Sequence, residues 1–117
     1  MNRPAFVELI ESAIGDLQLW VDTVPEEEEI PALTYTHITD GGTRLLNGKM
    51  TGTWDTWRVR VVGKNRADSD DVIAMLKALD NTSNDNFQRV TIRSIQAVPS
   101  QPEDIYVSSL LDFKTFD

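Results

Sequence analysis

Few side chains in this sequence could carry out chemistry, and their spacing does not favour it. The chain has one histidine, His37, and no cysteine, which removes thiolate nucleophiles, disulfides and most zinc ligand sets. His37 stands between Thr36 and Ile38 in a strand-like stretch, so a hydrogen-bonded sheet histidine explains it better than a metal ligand without co-ligands. No G-x-S-x-G, P-loop or G-x-G-x-x-G motif occurs. We therefore expect neither enzymatic activity nor a cofactor.

The carboxylates are numerous, but their placement favours solvation over catalysis. Of the 19 acidic residues, Glu26 to Glu29 are consecutive and lie between Pro25 and Pro31. Consecutive glutamates without glycine or asparagine spacing do not match an EF-hand calcium loop, and adjacent like charges repel one another and stay in water. We therefore expect residues 22–32 to form a solvated connector without a metal site.

Length and charge limit the function further. The chain has 117 residues, which suits one domain spanning residues 1–117. Its net charge is −8, from 11 Lys and Arg against 19 Asp and Glu. An acidic chain is not expected to bind DNA on its own, and its charge favours solubility. An acidic wall would, however, also let DNA slide past without sticking. No apolar run approaches the roughly 18 residues that span a bilayer, so no membrane partner is expected.

Two stretches have the periodicity of amphipathic helices. The first covers residues 4–19, where Pro4 suits the first turn and Gly15 marks close packing or an early end. The second begins after a cap at Asp68 or Ser69. The positions predicted to face the core are Phe6, Leu9, Ile10, Ala13, Ile14 and Leu17 in the first helix, and Val72, Met75, Leu76 and Leu79 in the second.

A long β-hairpin is predicted around Asn47-Gly48, a pair that tolerates the positive φ angles of a type I′ turn. Its arms extend back to Leu33 and out to Val62. Arms of about fourteen residues at about 3.4 Å each give a ribbon near 48 Å, whereas a domain of this size has a radius of gyration of about 13 Å. The distal part is therefore predicted to project; a disordered polar loop is the alternative.

Two further strands complete the predicted fold, at residues 89–98 and 105–116. The hairpin register requires one extra residue, at Gly41-Gly42 or Gly52, because glycines within a strand pattern often mark bulges. The predicted class is α+β, with an antiparallel sheet of about four strands, two helices packed on it and the long projecting hairpin. With that extra residue the aligned pairs are Leu33 with Val61, Tyr35 with Val59 and His37 with Trp57.

Taken in order, four segments resemble the tail-completion, or tail terminator, proteins of long-tailed bacteriophages and prophages. The segments are residues 4–17 (PAFVELIESAIGDL), 32–39 (ALTYTHIT), 57–81 (WRVRVVGKNRADSDDVIAMLKALDN) and 105–116 (IYVSSLLDFKTF). The third is similar to that family's strand, polar turn and helix, and the fourth to its closing strand. Each motif alone is only patterned secondary structure, so the resemblance depends on their order and spacing across most of the chain.

The resemblance implies a structural virion protein that assembles in the bacterial host cytoplasm. Such proteins form a hexameric ring of identical copies at the head-proximal end of the tail tube, end tube polymerisation and offer a joining surface to the head–tail connector, or neck. The ring encircles the DNA path without reading its sequence. No catalytic residues are carried over.

A ring of identical head-to-tail contacts needs two different, complementary patches on each subunit. The hairpin could supply one patch, and arginines on one copy could meet the connector glutamates of the next; a solvated strand face is the alternative for the arginines. The residues predicted to meet a neighbouring subunit or the tube are Arg44, Leu45, Leu46, Lys49, Met50, Arg58, Arg60 and Arg66, with Glu26, Glu27, Glu28 and Glu29.

Two other functions fit the same sequence. A different neck or head-closure component would be equally free of catalytic motifs. An acidic inhibitor that mimics DNA would place carboxylates in rows at phosphate-like spacing, whereas here many acids lie in the connector and at the start of the second helix.

Overall fold

The computed structural model describes residues 3–22, 31–44, 46–47, 50–99 and 106–117. Helices and strands alternate irregularly along this part of the chain. In order, the elements are α1 (Arg3–Ile14), β1 (Gln18–Val21), β2 (Ala32–Arg44), β3 (Met50–Gly63), α2 (Arg66–Lys77), β4 (Arg89–Ala97) and β5 (Val107–Phe116).

The strands form one mixed sheet in the order β1-β2-β3-β5-β4. The pairs β2–β3, β3–β5 and β4–β5 are antiparallel, whereas β1 joins the outer edge of β2 in parallel. The α+β class with two helices is confirmed. The expected sheet of about four antiparallel strands needs correction, because a fifth, parallel strand lies at its edge.

Strand β1 occupies residues that the helical periodicity assigned to the end of the first helix. Helix α1 stops at Ile14 because Gly15 adopts a φ of 64°, a conformation that favours a residue without a side chain. The 4 residues of β1 are too few for strand alternation to be recognised. Leu19 packs against the core, while the buried indole N–H of Trp20 has no hydrogen-bond partner among the described residues. An unpaired buried donor makes this edge a weak point of the fold.

Both helices pack on the same face of the sheet and enclose the hydrophobic core with it. Phe6 of α1 is fully buried and stacks on Trp57 of β3, with ring centroids 4.3 Å apart and planes 4° apart. Phe113 of β5 meets the same Phe6 ring nearly edge-on at 5.9 Å. The Trp57 indole N–H donates to Thr115 Oγ1 over 3.1 Å. One aromatic contact thus joins the first helix to the middle of the sheet.

Helix α2 begins earlier than predicted. Its N-cap is Asn65, whose Oδ1 accepts a hydrogen bond from the Asp68 backbone N–H over 2.9 Å. Ser69, predicted as a possible cap, is instead fully buried, and its hydroxyl shares a 3.1 Å hydrogen bond with that of Ser109. Met75 was predicted to face the core but is 44% exposed. It lies beside a buried stripe formed by Ser69, Val72, Ile73 and Leu76.

The β2–β3 hairpin has the predicted alignment near its base, but the bulge lies elsewhere. The extra residue is Ile38, where the pairing shifts between His37 and Thr39 rather than at Gly41-Gly42. A second shift lies next to Gly52 at the distal end. The predicted pairs are all present: Leu33 with Val61, Tyr35 with Val59 and His37 with Trp57.

Most of the hairpin is part of the wider sheet and not a free arm. Strand β5 pairs with β3 as far as Trp54, so only Gly42–Arg44 and Met50–Thr53 continue as a two-stranded ribbon in the described structure. The molecule measures 56 × 26 × 23 Å, with a radius of gyration of 15.5 Å against about 13 Å for a compact domain of this length. A ribbon of about 48 Å fits only along the longest dimension. The molecule is therefore elongated along the hairpin.

Trp54 explains why Gly41 is a glycine. The Trp54 ring lies across Gly41, and a Cβ atom there would come within 2.4 Å of the ring. Lys114 Nζ lies 4.3 Å from the centroid of the Trp54 ring, a cation–π contact worth about 0.5–1 kcal/mol at an exposed site. Gly41 therefore permits the close approach of an aromatic ring, and regular pairing is kept at this position.

Replacing Phe6 with alanine should lower the free energy of unfolding by about 3–5 kcal/mol, because a fully buried aromatic side chain leaves a cavity. Met75→Ala, a truncation of an exposed residue on the other helix, should cost within about 0.5 kcal/mol. Urea denaturation followed by tryptophan fluorescence measures both. Similar losses in the two variants would contradict the assigned core.

Replacing Gly41 with alanine should cost about 1–2 kcal/mol, because the new methyl group displaces the Trp54 ring. Gly52→Ala is the matched control: it lies in the same hairpin, and its Cβ would meet nothing within 4 Å. We expect its effect to stay within about 0.5 kcal/mol. Equal destabilisation in the two variants, measured by urea denaturation, would refute the proposed role of the ring.

Candidate assembly surfaces

The side of the sheet opposite the helices is polar, and no described helix covers it. Side chains alternate along a strand, so residues between the buried Trp57, Val59 and Val61 project to this side. We call this surface the sheet face; it comprises the outward residues of β2, β3, β5 and β4, together with Asp22, which follows β1 and accepts a hydrogen bond from Thr36. Its charged members are Arg58, Arg60, Arg89 and Lys114, with Asp22 and Asp112.

Arg58 is paired within the chain. Its Nε donates to Asp112 Oδ1 over 2.9 Å and its Nη2 to Asp112 Oδ2 over 3.3 Å. The Ser94 hydroxyl donates to the same Oδ2 over 3.2 Å. The hydrogen bond to Asp112, and then the charge of Asp112, raise the pKa of the Arg58 guanidinium. Both side chains remain partly exposed, so the pair contributes at most about 1 kcal/mol to stability.

Arg60 is the exposed cation beside that pair and makes no ion pair among the described residues. It lies between Thr34 of β2 and Leu110 of β5 in the register. A hollow of about 330 Å³ opens here, where the Thr36 hydroxyl donates to Asp22 Oδ1 over 2.9 Å. Arg60 therefore keeps its donors available to an incoming carboxylate.

The structure separates the three arginines that the sequence placed together. Arg66 begins α2, and its Nη1 donates to Ser109 Oγ over 3.1 Å and to the Ser108 carbonyl oxygen over 3.4 Å. It therefore lies on the helix side, away from Arg58 and Arg60. Glu26, Glu27, Glu28 and Glu29 lie outside the described residues, so their pairing with the arginines stays a prediction.

The distal end of the hairpin carries an exposed apolar side chain. Leu46 is fully exposed in the turn. Arg44 and Met50 pair with each other where the two strands end, while Leu45 and Lys49 lie outside the described residues. Burial of Leu46 against a partner would be favourable, so the tip stays a predicted contact.

The opposite surface of the molecule is acidic. We call it the helix face; it comprises the exposed residues of α1 and α2. The exposed cation on these two described helices is Lys77. The exposed carboxylates on them are Glu8, Glu11, Asp70 and Asp71. The molecule thus has a mainly cationic face and a mainly anionic face on its two sides, even though its net charge is −8.

Sequence reasoning found Arg58 and Arg60 but missed the other charged residues of the sheet face. A signal was present in β5, where Asp112 and Lys114 alternate with buried Leu111 and Phe113. Alternation alone does not tell which strand lies beside which. The positions of Lys114 beside Trp54 and of Asp112 beside Arg58 depend on β5 pairing with β3, which the strand order supplies.

His37 forms a hydrogen-bonded pair with a buried carboxylate, as expected for a histidine within a strand. Its Nε2 lies 2.8 Å from Asp55 Oδ1, and Asp55 is 1% exposed. The imidazole also meets the Trp57 ring edge-on, with centroids 4.8 Å apart. No serine or threonine hydroxyl among the described residues hydrogen-bonds to His37. The pair stabilises the base of the hairpin and has no nucleophile attached to it.

Metal sites, membrane-spanning helices and surface hollows were also considered for the described residues. No group of three or more His, Asp or Glu residues there could hold a metal ion, and none of its helices is long and apolar enough to cross a bilayer. Three surface hollows of about 200, 330 and 420 Å³ are not lined by His37. No model of a known protein family and no curated protein sequence matches this chain.

Replacing Asp55 with alanine should cost about 1–3 kcal/mol, because His37 loses its partner in a largely buried setting. Asp40→Ala is the matched control: Asp40 lies directly opposite Asp55 in the register but is exposed. Its removal should change the free energy of unfolding by no more than about 0.5 kcal/mol. Chemical denaturation at neutral pH checks both, and a costly Asp40→Ala would contradict the assignment.

Proposed function

We propose that this protein is a structural virion component that forms a homo-hexameric ring at the head-proximal end of a phage tail tube. The ring ends tube polymerisation and presents the surface to which the head–tail connector joins. The order of the four sequence segments, described above, supports this proposal. The observation that carries it in the structure is the presence of two different charged surfaces on one small domain, since a ring of identical copies needs two unlike patches.

The sheet face supports assembly over catalysis. It is broad and polar, and it presents cations, hydroxyl groups and partly exposed Trp54, Leu110 and Phe116 side chains around a hollow of about 330 Å³. Catalysis usually needs polar groups that converge in a concave pocket. A broad surface of mixed polarity is instead typical of a protein–protein contact.

The hairpin end supports contact with a second partner. Its two-stranded end extends past β5, and Leu46 is exposed in its turn. In the proposed ring this end reaches the tail tube protein or a neighbouring copy, where the leucine leaves water. Arg44, Leu45, Lys49 and Met50 form the rest of the proposed contact.

The net charge is compatible with a DNA path through the ring. Each copy contributes −8, so the ring as a whole repels the DNA backbone and lets it pass without sequence-specific binding. The sheet face, with its surplus of cations, is then proposed to lie in contacts between copies and not against the DNA.

Electron microscopy of the protein mixed with tail-tube subunits from the same phage tests this function. We expect short tubes with an extra ring of density at one end, because capped tubes stop growing. The matched control is Leu46→Glu, which puts a charge in the proposed tube contact and should restore long tubes. Tubes of unchanged length with the unaltered protein, or its binding to portal complexes alone, would contradict tail termination and favour another neck component.

A further inference from the structure

We infer that the sheet face of one copy binds the helix face of a second copy, head to tail. The inference rests on the proposed ring and specifies which two surfaces form its repeated contact. Its occupant is a second copy of this chain, because the surface that complements the sheet face is present on the chain itself.

The sheet face and the helix face carry opposite charges. The sheet face carries Arg58, Arg60, Arg89 and half-buried Lys114 against Asp22 and half-buried Asp112. Helices α1 and α2 carry Glu8, Glu11, Asp70, Asp71 and half-buried Asp68 against Lys77 and half-buried Arg3 and Arg66. Opposite potentials across an interface guide association and fix its register, and like charges placed together oppose it. A contact between two sheet faces or two helix faces is therefore disfavoured.

The sheet face and the helix face lie on different sides of the domain. The helices cover one side of the sheet and the sheet face is its other side, so the two surfaces are different parts of the same domain. A contact between them is heterologous, and repetition of such a contact gives either a closed ring or an open filament. This is the kind of contact that a ring of identical copies requires.

The area of the sheet face also supports the contact. Four strands spaced about 4.8 Å apart, with about 3.3 Å per residue, give a face of roughly 19 × 30 Å over the 9 residues of β4. Protruding side chains enlarge this area toward the roughly 800 Å² per partner of a standard interface. Trp54, Leu110 and Phe116 are partly exposed there and add apolar area.

Arg60 is the cation that we assign to the centre of this contact. Arg58 already binds Asp112, and Lys114 lies over Trp54 and Phe116 at 4.3 and 5.2 Å. Arg60 is exposed beside the hollow lined by Thr34 and Thr36, where a helix carboxylate of the second copy can reach it. A charged hydrogen bond of this kind is stronger than a neutral one.

Site-directed crosslinking tests the contact, since the natural chain has no cysteine. Thr56→Cys labels the sheet face next to Arg58, and Ala74→Cys labels the helix face close to Asp70 and Asp71. Pairs of single-cysteine proteins, one carrying a mass tag, are mixed at about 1 mM each, where a contact with a Kd near 1 mM is roughly two-fifths populated. A short bismaleimide then joins neighbouring cysteines.

Two control positions complete the set. Ser83→Cys lies in the turn beyond the end of α2, beside residues 84–86, which border α1 at Glu8, so it labels the edge of the helix face. Thr23→Cys is three residues before the connector glutamates in the sequence. We expect the Thr56–Ala74 adduct between copies to exceed the Thr56–Ser83, Thr56–Thr23 and both like-position adducts several-fold. Adding Arg60→Glu to the Thr56→Cys protein should lower its yield several-fold, whereas Arg60→Lys should preserve it.

The inference is overturned if the Thr56–Ala74 adduct is no more abundant than the Ser83 control. A dominant Thr56–Thr23 adduct would overturn it in favour of the connector glutamates, and a dominant Thr56–Thr56 adduct would favour an isologous dimer. Tube capping without the Thr56–Ala74 adduct would refute this contact but not the proposed function. The adduct without tube capping would refute the function but not the contact.

Discussion

The stacking of Phe6 on Trp57 is the interaction on which the rest of the structure depends. Trp57 lies in the central strand β3 and is fully buried, with Phe6 on one side and its N–H satisfied by Thr115 of β5. Aromatic pairs of this kind add about 0.5–1.5 kcal/mol beyond the area that they bury. Because α1 and strands β2, β3 and β5 meet at Phe6, the contact fixes the side of the sheet that α1 covers.

The helices cover one side of the sheet, and no described helix covers the other side. Along β3, Trp57, Val59 and Val61 face the helices, so Arg58 and Arg60 must face away from them. An antiparallel sheet tolerates one side in water, and here that side gathers cations while exposed acids line the helices. Strand alternation places Arg58 and Arg60 on the uncovered side, and the small domain therefore has two surfaces of unlike charge.

Much of this fold could be predicted from the sequence, because its strongest signals are local. Alternation identified the residues around Trp57, and the same pattern led to the pairs of Leu33 with Val61 and Tyr35 with Val59. Three features could not be read in this way. β1 is too short to show a period. The bulge is at Ile38 and not at a glycine, and the cap of α2 is the unexpected Asn65.

The candidate surfaces were only partly predictable, since a surface depends on which strands are neighbours. Arg58 and Arg60 follow from one strand, but Lys114 and Asp112 join them through the pairing of β5 with β3. Arg66 was grouped with them because it is near in sequence, yet the chain turns into α2 at that point and carries it to the other side. The proximity of residues along the chain was therefore a poor guide to a shared face.

A three-dimensional reconstruction of the protein assembled on the proposed tail tube, at a resolution that shows individual helices, would reveal which surfaces meet between copies. We expect a ring in which the uncovered side of each sheet lies against the two helices of the adjacent copy. A ring in which that side lines the central channel or remains in solvent would contradict it.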